Sequence, residues 1–100
     1  MKSFTDSMIF LFLKYSWASA LTETLFTERQ GQYLAFIYTY AKIHHQAPAE
    51  ADIQRYFQVS PPTVHQMVLT LEKLGLISRT PGKARSIRLL LEPEQLPILR

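Results

Sequence analysis

Apolar positions along the chain recur at helical spacing in three separate stretches and then switch to a period of two, and each break marks an element. Behind "TERQ", the residues Tyr33, Leu34, Ile37, Tyr40 and Ala41 recur at helical spacing, with Phe36 widening the stripe. "TERQ" itself is a capping box, in which the Thr27 hydroxyl and the Gln30 amide can satisfy orphan N–H groups of the first turn. The pattern predicts a helix from residue 27 to about residue 45. "QAP" then ends it, because the residue before a proline is pushed out of the helical region.

A shorter helix is expected over Glu50–Phe57, with Ile53 and Phe57 facing the core and Glu50 and Asp52 at the end where acids suit the dipole. "QVS" makes a brief turn. Ser60 follows as a good N-cap, and Pro61 falls at the first helical position, where its missing N–H costs nothing. Val64, Val68 and Leu71 form an inward stripe, Thr63, His65, Gln66, Thr70 and Lys73 fall off it, and Gly75 ends the helix as a left-handed cap.

After Gly75 the period becomes two. "LISRT" and "RSIRLLL" bracket "PGK", where Pro81 and Gly82 suit the centre of a type II turn. Ile87, Leu89 and Leu91 point one way, Ser86 and Arg88 the other. So small a hairpin must pack on the helices. "EPEQLPILR" closes the chain as an extended tail whose leucines need an apolar surface.

Helix, short helix, tight turn, helix and basic hairpin is the order of a winged helix-turn-helix: mainly α, with a small β-hairpin wing. In that motif the second helix of the pair lies in the major groove of DNA. The chain divides into an N-terminal extension (1–24), the winged domain (25–91) and a C-terminal tail (92–100). The extension, "MKSFTDSMIFLFLKYSWASALTET", has a basic start and an "ASA" that could pass for a cleavage site. Its apolar run, Met8 to Leu13, is too short and too broken by charge for export or for spanning a bilayer. It reads as an extra helix, and Met8, Phe12, Trp17 and Leu21 are the expected dimerisation residues. Together with the Leu96 to Leu99 tail they exceed what one small domain needs to cover itself.

Charge sharpens the picture more than composition does. One hundred residues, 47% hydrophobic and 12% aromatic, support one ordered domain with a real core. No cysteine is present, which excludes disulfides and thiolate metal sites and fits a cytoplasmic protein. Net charge is +3, and the first half of the chain balances its four bases with four acids. The second half carries seven bases against four acids, and Arg79, Lys83, Arg85 and Arg88 occur in the hairpin without an acid among them. Such a run beside a polar helix suits a polyanion; the alternative is a solvated charged hairpin.

Pro62, Thr63, His65 and Gln66 are therefore the candidate base-contacting residues. Glutamine can pair bidentately with adenine, and threonine offers a hydroxyl and a methyl suited to thymine. His65 can meet a base edge when neutral, a phosphate when protonated, or solvent. Ser60, Arg79, Lys83, Arg85 and Arg88 are the candidate backbone contacts, since charged contacts position a protein without reading sequence. For Arg79 and Arg88 the alternative is a pair with Glu72 or Asp52 inside the fold; for Arg29 it is a phosphate or a salt bridge. His44 and His45 point about a hundred degrees apart on a helix and have no companion ligands, so no metal site and no cofactor is expected. No nucleophile–base arrangement or glycine-rich phosphate loop occurs, which argues against an enzyme.

The stretches "TERQ", "SPPTVH", "LEKLGLI" and "RTPGKARSIRL", within residues 25–91, resemble the DNA-binding domain of LexA-type repressors. The resemblance implies a winged helix-turn-helix that represses transcription as a homodimer on partly palindromic double-stranded operators. The departures also count. LexA repressors carry a C-terminal self-cleaving domain with a Ser–Lys dyad, whereas this chain ends at Arg100, so a compact stand-alone regulator is expected. The turn before Ser60 is a residue shorter than in LexA, Gln58 stands where the family usually has glycine, and Ala49 replaces a capping threonine. The competing class is a protein-interaction module on the same fold, for which exposed Met67 and Leu69 would supply the surface.

Overall fold

The computed structural model describes residues 25–100, so the expected extra N-terminal helix and the expected dimerisation residues Met8, Phe12, Trp17 and Leu21 lie outside the described residues. Helix α1 spans Glu28–His44, α2 Glu50–Phe57 and α3 Pro61–Lys73, followed by strands β1, Ile77–Ser78, and β2, Arg88–Leu89. A short 3-10 turn, Pro93–Gln95, precedes the final residues.

Each helix starts where its cap is. The Thr27 hydroxyl accepts the Gln30 N–H at 3.1 Å while the Gln30 side chain accepts the Thr27 N–H at 2.8 Å, the reciprocal pair that "TERQ" predicts. Ala49 has no side chain with which to cap α2, but Asp52 reaches back to accept the Ala49 N–H at 2.9 Å and completes half of the box. Ser60 caps α3 by accepting the Thr63 N–H, and Pro61 occupies the first turn; a cap of this kind stabilises a helix by about 1 kcal/mol. At the far ends, His45 and Gln58 take left-handed conformations with φ of 57° and 58°, and Gly75 follows with 78° after α3.

The inward stripe of α3 is fully buried: Val64, Val68 and Leu71 are each 0% exposed. They meet Ile53 of α2, Leu34 and Ile37 of α1, and Leu76, Ile77 and Ile87 from the hairpin in one core. Burial of each such side chain stabilises the fold by about 1.5–3 kcal/mol, which fixes the rotation of α3 about its axis. Tyr33 and Phe57 stack with ring centroids 4.2 Å apart and planes within 2°, joining α1 to α2.

The hairpin is tighter than the alternating pattern predicts. Only Ile77↔Leu89 and Ser78↔Arg88 pair as strand residues, extended by a Leu90 N–H to Leu76 carbonyl bond of 3.0 Å. Beyond them the Lys83 N–H closes on the Thr80 carbonyl at 3.1 Å around Pro81-Gly82, with Gly82 at φ 79°, a conformation open to glycine in a type II turn. Arg85 then turns left-handed as well, at φ 57°. Ser86 replaces strand pairing here: its hydroxyl accepts the Thr80 N–H at 2.9 Å and lies within donating range of the Thr80 and Lys83 carbonyls.

The tail finds its apolar surface on its own domain. Leu96 and Leu99 pack against the core cluster, and Gln32 of α1 clamps the backbone, donating to the Ile98 carbonyl at 3.0 Å and accepting the Arg100 N–H at 2.8 Å. The Tyr56 hydroxyl donates to the Arg100 carbonyl at 2.9 Å. Leu96 and Leu99 are thus spent within the domain, and of the tail's apolar side chains Ile98 alone stands out, at 86% exposed.

Candidate nucleic-acid interface

With α3 locked by its buried stripe, Pro62, Thr63, His65 and Gln66 all lie exposed on its opposite side, over the first two turns. Thr63, His65 and Gln66 give this side a polar edge, with Pro62 at its start. The Thr63 hydroxyl is 2.8 Å from Ser60 Oγ, so residue 63 shares in the cap as well as facing outward. The Gln66 carbonyl accepts the Thr70 hydroxyl at 2.9 Å, while its side-chain amide makes no hydrogen bond among the described residues. Met67 is half-buried against the core, and Leu69 is likewise only partly accessible. Of the two apolar residues that a protein-interaction reading of α3 draws on, Met67 is thus packed against the core.

A cleft separates this edge from the wing, lined by Pro48, Glu50, His65, Lys83, Arg85 and Ile87 among others. Glu50 was absent from the sequence-based candidates, yet its carboxylate approaches the His65 ring, with Nδ1 3.2 Å from both oxygens. A residue 15 positions away on another helix leaves no mark in local spacing, so only the crossing of α2 and α3 reveals it.

The four wing cations divide into two pairs. Lys83 and Arg88 are exposed and make no ion pair among the described residues. Arg79 donates through Nε to Glu72 Oε1 at 3.0 Å, partly buried against α3, which realises the internal pairing foreseen for it. Arg85 turns toward the helices: its Nη1 lies 3.1 Å from Asp52 Oδ2 and donates to the Tyr40 hydroxyl and the Ala47 carbonyl, each at 3.1 Å. Burial by itself would raise the Asp52 carboxyl. The Ala49 N–H, the Arg85 guanidinium, the Tyr40 hydroxyl and Arg55 outweigh burial and hold it below its ordinary value. Arg29 makes no ion pair among the described residues; its guanidinium lies over the rings of Tyr33 and Phe57, 5.5 and 5.0 Å from their centroids.

Three helices with the third presenting a polar edge, and a two-stranded antiparallel hairpin beside it, define a winged helix-turn-helix domain. The family described as "Iron dependent repressor, N-terminal DNA binding domain" matches residues 25–84, and the chain belongs to it. It is similar to the LexA repressor of Thermosipho africanus, 40% identical over 72 residues that make up 72% of this chain and 36% of that protein. The LexA repressor of Thermosipho melanesiensis is 38% identical over the same shares, and that of Thermotoga maritima 35% identical over 63% of this chain and 32% of its own. The resemblance drawn from "TERQ", "SPPTVH" and the wing is borne out by these relatives. The chain spans about a third of their length.

Among the described residues no three His, Asp or Glu side chains converge into a site for the iron of the family's description. Among the described residues no helix is long and apolar enough to cross a membrane.

Proposed function

We propose that the domain is a sequence-specific repressor of transcription that binds double-stranded DNA, laying α3 in the major groove and the wing on the sugar-phosphate backbone. The observation that carries this is the rigid mounting of Thr63, His65 and Gln66 at the exposed front of α3, across a cleft from Lys83, which makes no ion pair among the described residues. The N-terminal end of a helix also favours a phosphate, which Ser60 and the first-turn N–H groups would meet. Family membership and the LexA relatives support the same reading.

Lys83 and Arg88 are the first-choice phosphate contacts. Arg79 and Arg85 reach the backbone only by leaving their internal partners or by extending from them. The N-terminal extension, through Met8, Phe12, Trp17 and Leu21, pairs two copies across a two-fold axis, so that two half-sites of a partly palindromic operator lie on one face of the DNA. Such a regulator acts in the cytoplasm, where the chromosome lies.

Titration of labelled random-sequence duplex at several salt concentrations tests the central claim. Binding through two to four phosphates per protomer weakens with salt at a log–log slope of roughly −2 to −4. No binding to any duplex at low salt overturns it. Sedimentation equilibrium with and without residues 1–22 tests the pairing, and a monomer at micromolar concentration in the full chain overturns that part alone.

A further inference from the structure

Glu50 stands in an unexpected place for a surface that meets phosphates. It opens α2 at the rim of the cleft between α3 and the wing, and a bare carboxylate there repels the DNA backbone. Its position is matched to one ring, however. The two carboxylate oxygens are equidistant, at 3.2 Å, from Nδ1 of His65. A carboxylate can only accept, so Nδ1 carries the hydrogen. Nε2, on the other side of the ring, makes no hydrogen bond among the described residues, and the side chain is 53% exposed.

We propose that Glu50 is a positioning residue for His65: it holds the ring by Nδ1 and leaves Nε2 as the one ring nitrogen that reads a base. The inference rests on the DNA-binding reading above. Free neutral histidine favours the proton on Nε2, which makes that atom a donor; Glu50 reverses this and makes it an acceptor. An acceptor in the major groove matches the amino group of adenine (N6) or cytosine (N4), and not the acceptor atoms O6 and N7 of guanine. Protonation of the ring turns Nε2 into a donor and reverses the preference.

The charges around the ring are few. Glu50 faces it from α2 in direct contact. Lys83 lies across the cleft on the wing, while Arg79 and Arg85, which line the same cleft, pair with Glu72 and Asp52.

Two measurements test the assignment. Long-range ¹H–¹⁵N correlation spectra of the free protein above pH 8 should show His65 as the Nδ1–H tautomer, and Glu50→Ala should return it to Nε2–H. Selection from a randomised duplex library should give, at one base position, a preference of about fivefold for adenine or cytosine at pH 8. Glu50→Ala should move that preference to guanine while binding random duplex more tightly, through loss of a negative charge; Glu50→Leu, which likewise offers no acceptor, serves if the alanine variant is unstable. An Nε2–H tautomer in the unaltered protein overturns the proposal, as does such a Glu50 variant that binds DNA with unchanged preference. Absence of duplex binding by the unaltered protein overturns the DNA-binding reading itself, and the base-reading role with it.

Discussion

Nη1 of Arg85 lies 3.1 Å from Oδ2 of Asp52, and that one contact ties the wing to the start of α2. Because the same guanidinium also meets Tyr40 and Ala47, the wing is anchored to both of the first two helices. Asp52→Asn separates an anchoring role from a phosphate-binding one by the sign of its effect. Removing an acid near a DNA surface strengthens binding if charge alone matters. With the anchor broken, affinity for duplex should instead fall by roughly threefold to tenfold, read by fluorescence anisotropy at fixed salt. A gain in affinity would show that Arg85 serves the backbone and not the fold.

The same carboxylate gives the acid stability of the domain a predictable shape. Asp52 is held below its ordinary value near 3.8 in the folded state, so the folded form binds its proton less readily than the unfolded chain does. Its contribution is present in full above about pH 4 and is lost as pH falls through the depressed folded value. Thermal melts at pH 7, 4 and 2.5 should fall steeply over the last interval for the unaltered protein. Asp52→Asn should start from a lower melting temperature and fall less over that interval.

Gln66 and Lys83 should fail in different ways. Gln66→Ala should relax preference at one base position and cost about 1–3 kcal/mol on the preferred site, with little effect on random duplex. Lys83→Ala should weaken all sequences alike and make the log–log salt slope shallower by about 1. Competition binding on a selected site and on random duplex distinguishes them. Equal losses on both duplexes for Gln66→Ala would move that residue from the base edge to the backbone.

Tyr33 carries a cost that the core does not need. The residue is 1% exposed, and its hydroxyl has no hydrogen-bond partner among the described residues. A buried unsatisfied hydroxyl costs about 1–3 kcal/mol, and the stack on Phe57 needs only the ring. Tyr33→Phe should raise the melting temperature by roughly 4–8 °C for each kcal/mol recovered. A lower melting temperature would mean that the hydroxyl has a partner in the folded protein.

Features that depend on neighbouring residues are legible in the sequence alone. The caps at Thr27 and Ser60, the stripe Val64, Val68, Leu71 and the turn at Pro81-Gly82 all depend on residues within a few positions of one another, and each is found where its pattern predicts. Two contacts that decide the chemistry of the interface span longer intervals: Glu50 to His65 and Asp52 to Arg85. Both start from acids at the beginning of α2, which local rules assign to the helix dipole alone. The left-handed turns at Gln58 and Arg85 were hidden for a different reason. Neither residue type prefers that conformation, so tertiary packing imposes it; at Gln58 this lets a three-residue turn join two helices without the usual glycine. The sequence already offers Glu72 as an internal partner for Arg79, whereas Asp52 as the partner of Arg85 becomes visible only when the helices come together.

The division of α3 into an inward apolar stripe and an outward polar edge bears on how such a domain can acquire a new address in the genome. Stability resides in Val64, Val68 and Leu71, so Gln66 can be exchanged while the scaffold stays as it is. His65 is different, because its ring is in contact with Glu50. If the pair acts as proposed, one codon change at either of two sites, on neighbouring helices, is enough to alter the preferred base.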